Sequence, residues 1–151
     1  MHNDYEIRPA SPDDIMAVTS LLKPLVDQRR VLRRTKTELS ALMQTGFVVV
    51  KDGQLVGFCA VEIYSKKLAE IQCLVVDSHH RQQGLGGQLV TKCVDLAKQR
   101  NVMEVMAISA SEKFLQDLGF DYSLPDQKRA LFYQLRTRDS VYEELEGNDD
   151  I

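Results

Sequence analysis

The sequence predicts an α/β domain: a mixed, mostly antiparallel sheet flanked by helices. Three observations predict it. Two apolar runs meet at a tight-turn signal, Lys51-Asp52-Gly53, which makes a hairpin. A third strand-like run ends in a glycine-bearing loop that opens an amphipathic helix, and a further strand follows. Antiparallel pairs in front and a strand–helix–strand unit behind give a mixed sheet. The chain has 151 residues, about one domain by length, and a domain of that size needs no disulfide or metal to hold its core.

The elements follow in order. Tyr5–Arg8 alternates as a short strand. Ser11 suits a helix N-cap, Pro12 the first helical position, and Asp13 and Asp14 the positive helix end. Ile15, Val18, Leu21, Leu22 and Leu25 form a helical stripe, which Pro24 is expected to kink or end. Thr35 caps a second helix, with Glu38 three residues on as in a capping box, and Leu39, Leu42 and Met43 form its buried face. Phe47–Val50 and Leu55–Glu62 are the hairpin strands, and Leu68–Val76 is the next. Leu85, Leu89, Val90, Cys93, Leu96 and Ala97 line one side of the long helix. Val102–Ile108 is a strand, Glu112–Leu118 a helix closed by Gly119, and Ala130–Leu135 the final strand.

Composition excludes several classes. With 44% hydrophobic and 27% charged residues, this is ordinary globular usage. No run approaches the roughly 18 apolar residues of a membrane helix, and the N-terminal residues show no signal-peptide pattern. Cys59, Cys73 and Cys93 are scattered and odd in number, as expected of reduced thiols in a cytoplasm. No metal is expected, since His79 and His80 are adjacent, which is poor geometry for two ligands on one ion. The net charge is −3, but six of the acids lie from Asp139 onward, where no Lys or Arg follows. Residues 1–138 are expected to form the domain, and 139–151 a flexible acidic tail. The remaining balance lacks the concentrated basic face that nucleic acid requires.

The most informative stretch is Arg81-Gln82-Gln83-Gly84-Leu85-Gly86-Gly87, between a strand and a helix. Glycines let a ligand approach the backbone, and the helix start offers unpaired N–H groups to a pyrophosphate. A dinucleotide fingerprint would need glycine where Leu89 stands, and a phosphate loop would need a Gly-Lys pair that is absent. By itself the pattern fits a tight strand-to-helix turn equally well.

The run Leu74-Val75-Val76-Asp77-Ser78-His79-His80-Arg81-Gln82-Gln83-Gly84-Leu85-Gly86 resembles the acetyl-CoA motif of the GNAT acetyltransferases. In that motif an arginine or glutamine precedes a glycine by three residues, after a bulged strand. Leu32–Thr35, Ala69–Cys73, Gly119-Phe120 and Leu124–Leu131 resemble, in order, segments of the acetyltransferase domain of bacterial N-acetylglutamate synthases. The similarity spans about residues 5 to 136. The sequence departs from that branch in Ser78, His80 and Ala110, and these 151 residues hold no counterpart of the synthases' amino-acid-kinase domain. Where the wider family often has a tyrosine acid before Gly119, Phe114-Leu115 stands.

The resemblance implies acetyl-CoA as co-substrate, with its pantetheine along the main chain of Leu74, Val75 and Val76 and its pyrophosphate held by Arg81, Gln82, Gln83, Gly84, Leu85, Gly86 and Gly87. It implies Glu70 as the base that deprotonates the acceptor amine, with Glu62 on the next strand a competing candidate. Partial burial among Leu68, Ala69 and Ile71 would raise the pKa of Glu70. Ser109 is implied as a donor to the departing thiolate; a serine there also suits a helix cap. Arg34, Cys73 and Arg136 are implied at the acceptor, the arginines as carboxylate partners, although Arg29, Arg30, Arg33 and Arg34 also read as a solvated basic cluster. As a covalent nucleophile Cys73 is the weaker reading, because a cysteine on an apolar strand is usually packing. The expected function is acetyl transfer to a primary amine, L-glutamate first, with a protein amine or another small amine as alternatives and a non-catalytic acyl-CoA-binding module as a different class. The oligomeric state stays open, a homodimer included.

Overall fold

The computed structural model describes residues 4–109, 111–124 and 130–146. Its centre is a five-stranded sheet in sequence order: β1 (Glu6–Pro9), β2 (Gly46–Lys51), β3 (Gln54–Ile63), β4 (Leu68–Val76) and β5 (Glu104–Met106). The first four strands pair antiparallel, and β5 pairs parallel with β4. Helices α1 (Ile15–Asp27), α2 (Lys36–Met43), α3 (Leu85–Gln99), α4 (Glu112–Asp117) and α5 (Arg138–Glu146) complete the architecture.

Strand alternation divides the core into two layers. Val48, Phe58, Ala60, Cys73 and Val75 pack with Val18 and Leu22 of α1 and Leu39, Leu42 and Met43 of α2. Val49, Cys59, Val61 and Ala69 pack with Leu85, Leu89, Val90, Cys93 and Ala97 of α3. The α3 stripe thus covers one face of the sheet, and α1 with α2 covers the other.

Local chemistry explains the ends. Ser11 precedes one turn of 3-10 helix that leads into α1; its N–H donates to the Asp14 carboxylate (2.8 Å), which also receives Arg8. The hydroxyl of Thr35 accepts from the N–H of Glu38 (3.2 Å), capping α2. Asp52 and Gly53 both have positive φ, 51° and 77°, as a type I′ hairpin turn requires. The helix α1 runs three residues past Pro24, so this proline does not end it. Proline removes one N–H and the helix absorbs that loss near its C-terminal end.

Two differences lie in the last third. β5 has three residues, shorter than the expected Val102–Ile108. Residues 130–135 carry a strand-like pattern but form no strand; Leu131 and Tyr133 are 92% and 91% exposed. A strand exists only where another strand's N–H and C=O groups lie opposite, and this segment lies off the sheet. The acidic stretch expected to be flexible contains α5, whose Tyr142 hydroxyl donates to the Arg33 carbonyl (2.7 Å). Ala110, the motif residues 125–129 and the end of the chain from 147 lie outside the described residues.

Candidate active site

β4 organises the site through two irregularities. Against β3, Phe58 pairs with Val75 and Ala60 with Gln72, so Cys73 and Leu74 together face Cys59 alone. This is a β-bulge, with Cys73 at φ +57°. Against β5, pairing covers only Leu68–Glu70, where Glu70 faces Met106, the last residue of β5. Beyond Glu70, β4 keeps β3 on one side and, among the described residues, has no strand on the other. The main chain of Leu74, Val75 and Val76 therefore lies on a bulged strand with a free flank.

The loop beyond β4 is shaped for main-chain recognition. Ser78–His80 forms a 3-10 turn capped by Asp77, whose carboxylate accepts from the His79 N–H (2.9 Å). The His80 ring lies 2.9 Å from the Tyr5 hydroxyl, tying the loop to the start of the sheet. The Nε of Arg81 donates to the Val76 carbonyl (3.4 Å), which places the guanidinium over the end of β4. Gln82 and Gly84 turn through positive φ, 62° and 75°. Gly84 caps α3, and the first intrahelical bond runs from Gln88 N to Gly84 O. The N–H groups of Leu85, Gly86 and Gly87 thus have no intrahelical acceptor. A Cβ on Gly86 would stand 3.6 Å from the Phe114 ring, and one on Gly87 3.5 Å from Leu118, ordinary contact distances, so packing against α4 does not itself demand glycine at either position.

On the α1–α2 side of β4, Glu70 and Gln72 point the same way, as residues two apart on a strand do. The hydroxyl of Tyr64, just past β3, donates to Glu70 Oε1 (2.6 Å). The Gln72 amide donates to the same oxygen (3.1 Å) and to the Tyr64 oxygen (3.3 Å). From the loop before α2, Arg34 donates to Gln72 Oε1 and lies 3.7 Å from Glu38. Arg34 is 17% exposed, and its Nε–H is buried with no partner among the described residues. Glu62 is the cross-strand partner of Glu70. Burial first, then the bond to Glu70 and the nearness of Glu62, pushes the Tyr64 pKa well above the ordinary phenol value, so Tyr64 remains a donor at neutral pH. Burial pushes the Cys73 thiol up, while Arg34 beside it pulls the other way with a smaller effect. A buried, protonated thiol packed in the core is a poor nucleophile.

The structure thus brings Glu70, Cys73 and Arg34 together and adds Gln72 and Tyr64. Gln72 is a buried polar side chain at 8% exposure in an otherwise apolar run; that contrast, two residues from Glu70, is the signal in the sequence. Tyr64 carried no local signal, because its contact depends on how β3 turns into β4. Ser109 lies past β5, exposed, and its Oγ accepts from Ser111 N–H (3.0 Å), the turn leading into α4. It lines a separate cleft of about 780 Å³ with Leu68, Val105, Leu115 and Phe120. Arg136 is ion-paired with Glu144 of α5. Neither residue touches the Glu70 cluster. Among the described residues no group of His, Cys, Asp and Glu could hold a metal ion, and no helix is long and apolar enough to cross a membrane.

Residues 17–120 match the model of the acetyltransferase (GNAT) family. The chain belongs to this family. An amino-acid acetyltransferase of Pasteurella multocida is 27% identical over 145 residues, 91% of this chain and 33% of the relative. The chain therefore spans about a third of the length of such relatives. An uncharacterized N-acetyltransferase of Chlorobaculum tepidum is 28% identical over 117 residues, 78% of this chain and 76% of the relative. N-acetylglutamate synthase from Neisseria gonorrhoeae, solved with coenzyme A and N-acetyl-glutamate, superposes with a TM-score of 0.73 at 22% identity, over 98% of this chain and 33% of that one. The GNAT fold expected from the resemblance is the fold observed. The free flank of β4, the bulge and the open N–H groups of α3 fit acetyl-CoA, the family's acyl donor.

Proposed function

We propose that the chain transfers an acetyl group from acetyl-CoA to the primary amine of a small acidic amino acid, with L-glutamate the first candidate. The observation that carries the reading is the largely buried Arg34, joined through Gln72 to the Glu70 carboxylate. A guanidinium binds a carboxylate bidentately, so Arg34 would hold an acidic acceptor with its amine beside Glu70. The relatives named amino-acid acetyltransferase agree with an amino-acid acceptor.

The residues take these roles. The main chain of Leu74, Val75 and Val76 holds the pantetheine as an added strand would. Arg81 and the amides of Gln82, Gln83, Gly84, Leu85, Gly86 and Gly87 hold the pyrophosphate. When bound, acetyl-CoA supplies the thioester carbonyl that the amine nitrogen attacks. Glu70 takes the proton from the ammonium. A main-chain N–H of the bulged strand faces the carbonyl oxygen; a preorganised donor of that kind is worth about 2.7–4 kcal/mol in other acyl transfers. As the C–S bond breaks, the second proton of the attacking nitrogen passes to the sulfur through water, assisted by the Ser109 hydroxyl, so an amide and a free thiol form. Arg136 is the second carboxylate partner, exchanging Glu144 for the acceptor. Cys73 packs beneath Arg34 and lines the acceptor side.

The test is thiol release from acetyl-CoA across a panel of amino acids, polyamines and peptides. Glutamate or aspartate should give a kcat/KM at least tenfold above alanine or glutamine. Equal turnover of charged and uncharged acceptors would remove the acidic-acceptor reading and leave the family assignment intact.

A further inference from the structure

We propose that Gln72 is a positioning residue that couples Arg34 to Glu70, so that the arginine serving the acceptor also sets the proton affinity of the base. The inference rests on Glu70 as the base and deepens that reading.

A glutamine amide has one accepting oxygen and two N–H donors. A guanidinium only donates. The bond from Arg34 therefore requires Gln72 Oε1 to face Arg34, and the NH₂ group is turned toward Glu70 and Tyr64. If the amide were reversed, its oxygen would face the Glu70 carboxylate and its NH₂ would face the Arg34 guanidinium, so both contacts would be repulsive. Arg34 thus selects the orientation in which Glu70 receives a donor.

Both donors to Glu70, Tyr64 and Gln72, fall on Oε1. Among the described residues, Oε2 has no hydrogen-bond partner. One carboxylate oxygen is fixed and the other is left for a proton. Donors to the charged form lower a carboxyl's proton affinity. Among the described residues, the other charges near Glu70 are Glu62 across the ladder on β3, Glu38 of α2 behind Arg34, and Arg34 itself; Cys73 lies on β4, and β5 presents Met106 opposite. By this inference Arg34 reaches Glu70 through the Gln72 amide as well as through space.

The measurement is a titration of the Glu70 carboxyl carbon by NMR in the full chain, with the signal assigned by its loss in Glu70→Gln. Gln72→Glu is isosteric, keeps the Arg34 bond and replaces the donor by a second carboxylate. It should move the Glu70 midpoint up by about one pH unit or more. Gln72→Leu should move it up by less. Arg34→Met should raise the midpoint in the native background, and by less than half as much in the Gln72→Leu background, where only the through-space effect remains. Acetyl-CoA binding by calorimetry confirms that each variant is folded. Equal Arg34→Met effects in both backgrounds, or an unmoved midpoint in Gln72→Glu, overturn the coupling. The Glu70→Gln protein is assayed in parallel on acetyl-CoA and glutamate. Full activity there removes the base itself, and the coupling's role falls with it; lost activity with unmoved Gln72 titrations overturns the coupling alone.

Discussion

The two halves of β4 do different work with different parts of the chain. Ala69 and Glu70 are flanked by strands on both sides, and their neighbourhood acts through side chains: Glu70, Gln72, Tyr64 and Arg34 form one hydrogen-bonded set. Leu74–Val76 has β3 on one side only, and what it offers is its backbone, continued by the Arg81 loop and the open N–H groups of α3. The bulge at Cys73 separates the halves. Main-chain recognition suits a donor that never varies, whereas side chains set the acceptor. The comparison predicts that variants in the two halves fail in different measurements.

The largest expected effect lies in the first half. Glu70→Gln removes the proposed base without changing shape, and general-base losses run about 10²–10⁴-fold in kcat. Acetyl-CoA affinity should stay nearly constant. The deficit should shrink as pH rises, because more of the acceptor amine is already neutral. An enzyme fully active across pH would turn attention to Glu62, the cross-strand neighbour.

Next come the two arginines, one lying beside each half. Arg81→Ala should weaken acetyl-CoA binding, and Arg34→Ala should raise the glutamate KM. Each loses a charge-assisted hydrogen bond, worth about 1.5–3 kcal/mol, or roughly tenfold or more. Calorimetry with acetyl-CoA and steady-state kinetics with glutamate read the two effects separately. If both variants weakened both ligands equally, the division of labour along β4 would be wrong.

The same division explains what could be read in the sequence. The Thr35 cap, the Asp52-Gly53 turn, the α3 stripe and the glycine loop are encoded within a few residues each, so local chemistry suffices. The Glu70 cluster is not local: Arg34 reaches Gln72 across 38 positions, and only tertiary packing of the segment before α2 against the sheet brings them together. Family likeness pointed to Glu70 and Arg34 as candidates; Gln72 shows only as a polar residue in an apolar run, and Tyr64 by neither route. The shortness of β5 and the open course of residues 130–135 depend on whether a strand edge finds a partner, which apolar alternation does not encode. Ser109 could be read as a thiolate donor or as a turn residue; its hydroxyl accepts from Ser111, and both uses remain compatible.

The smallest effect belongs to α5. Among its contacts with the domain is Tyr142, whose hydroxyl bonds the Arg33 carbonyl and whose ring lies 5.5 Å from the Arg33 guanidinium carbon. Exposed contacts of these kinds contribute about 0.5–1.5 kcal/mol each. Arg33 precedes Arg34, so the contact steadies the loop that carries Arg34. Truncation after Arg138 should therefore leave kcat and acetyl-CoA affinity nearly unchanged and raise the glutamate KM by a few-fold at most. Tyr142→Phe should reproduce part of that rise, since it removes the hydrogen bond and keeps the ring. The truncation also frees Arg136 from Glu144. If Arg136 serves the acceptor, its release works in the opposite direction and lowers KM. The single variant Glu144→Gln, which frees Arg136 while leaving Tyr142 in place, separates the two contributions: a KM below the native value assigns Arg136 to the acceptor, and an unchanged KM confines it to α5. A severe loss of kcat on truncation would mean that α5 supports the domain through contacts beyond Tyr142.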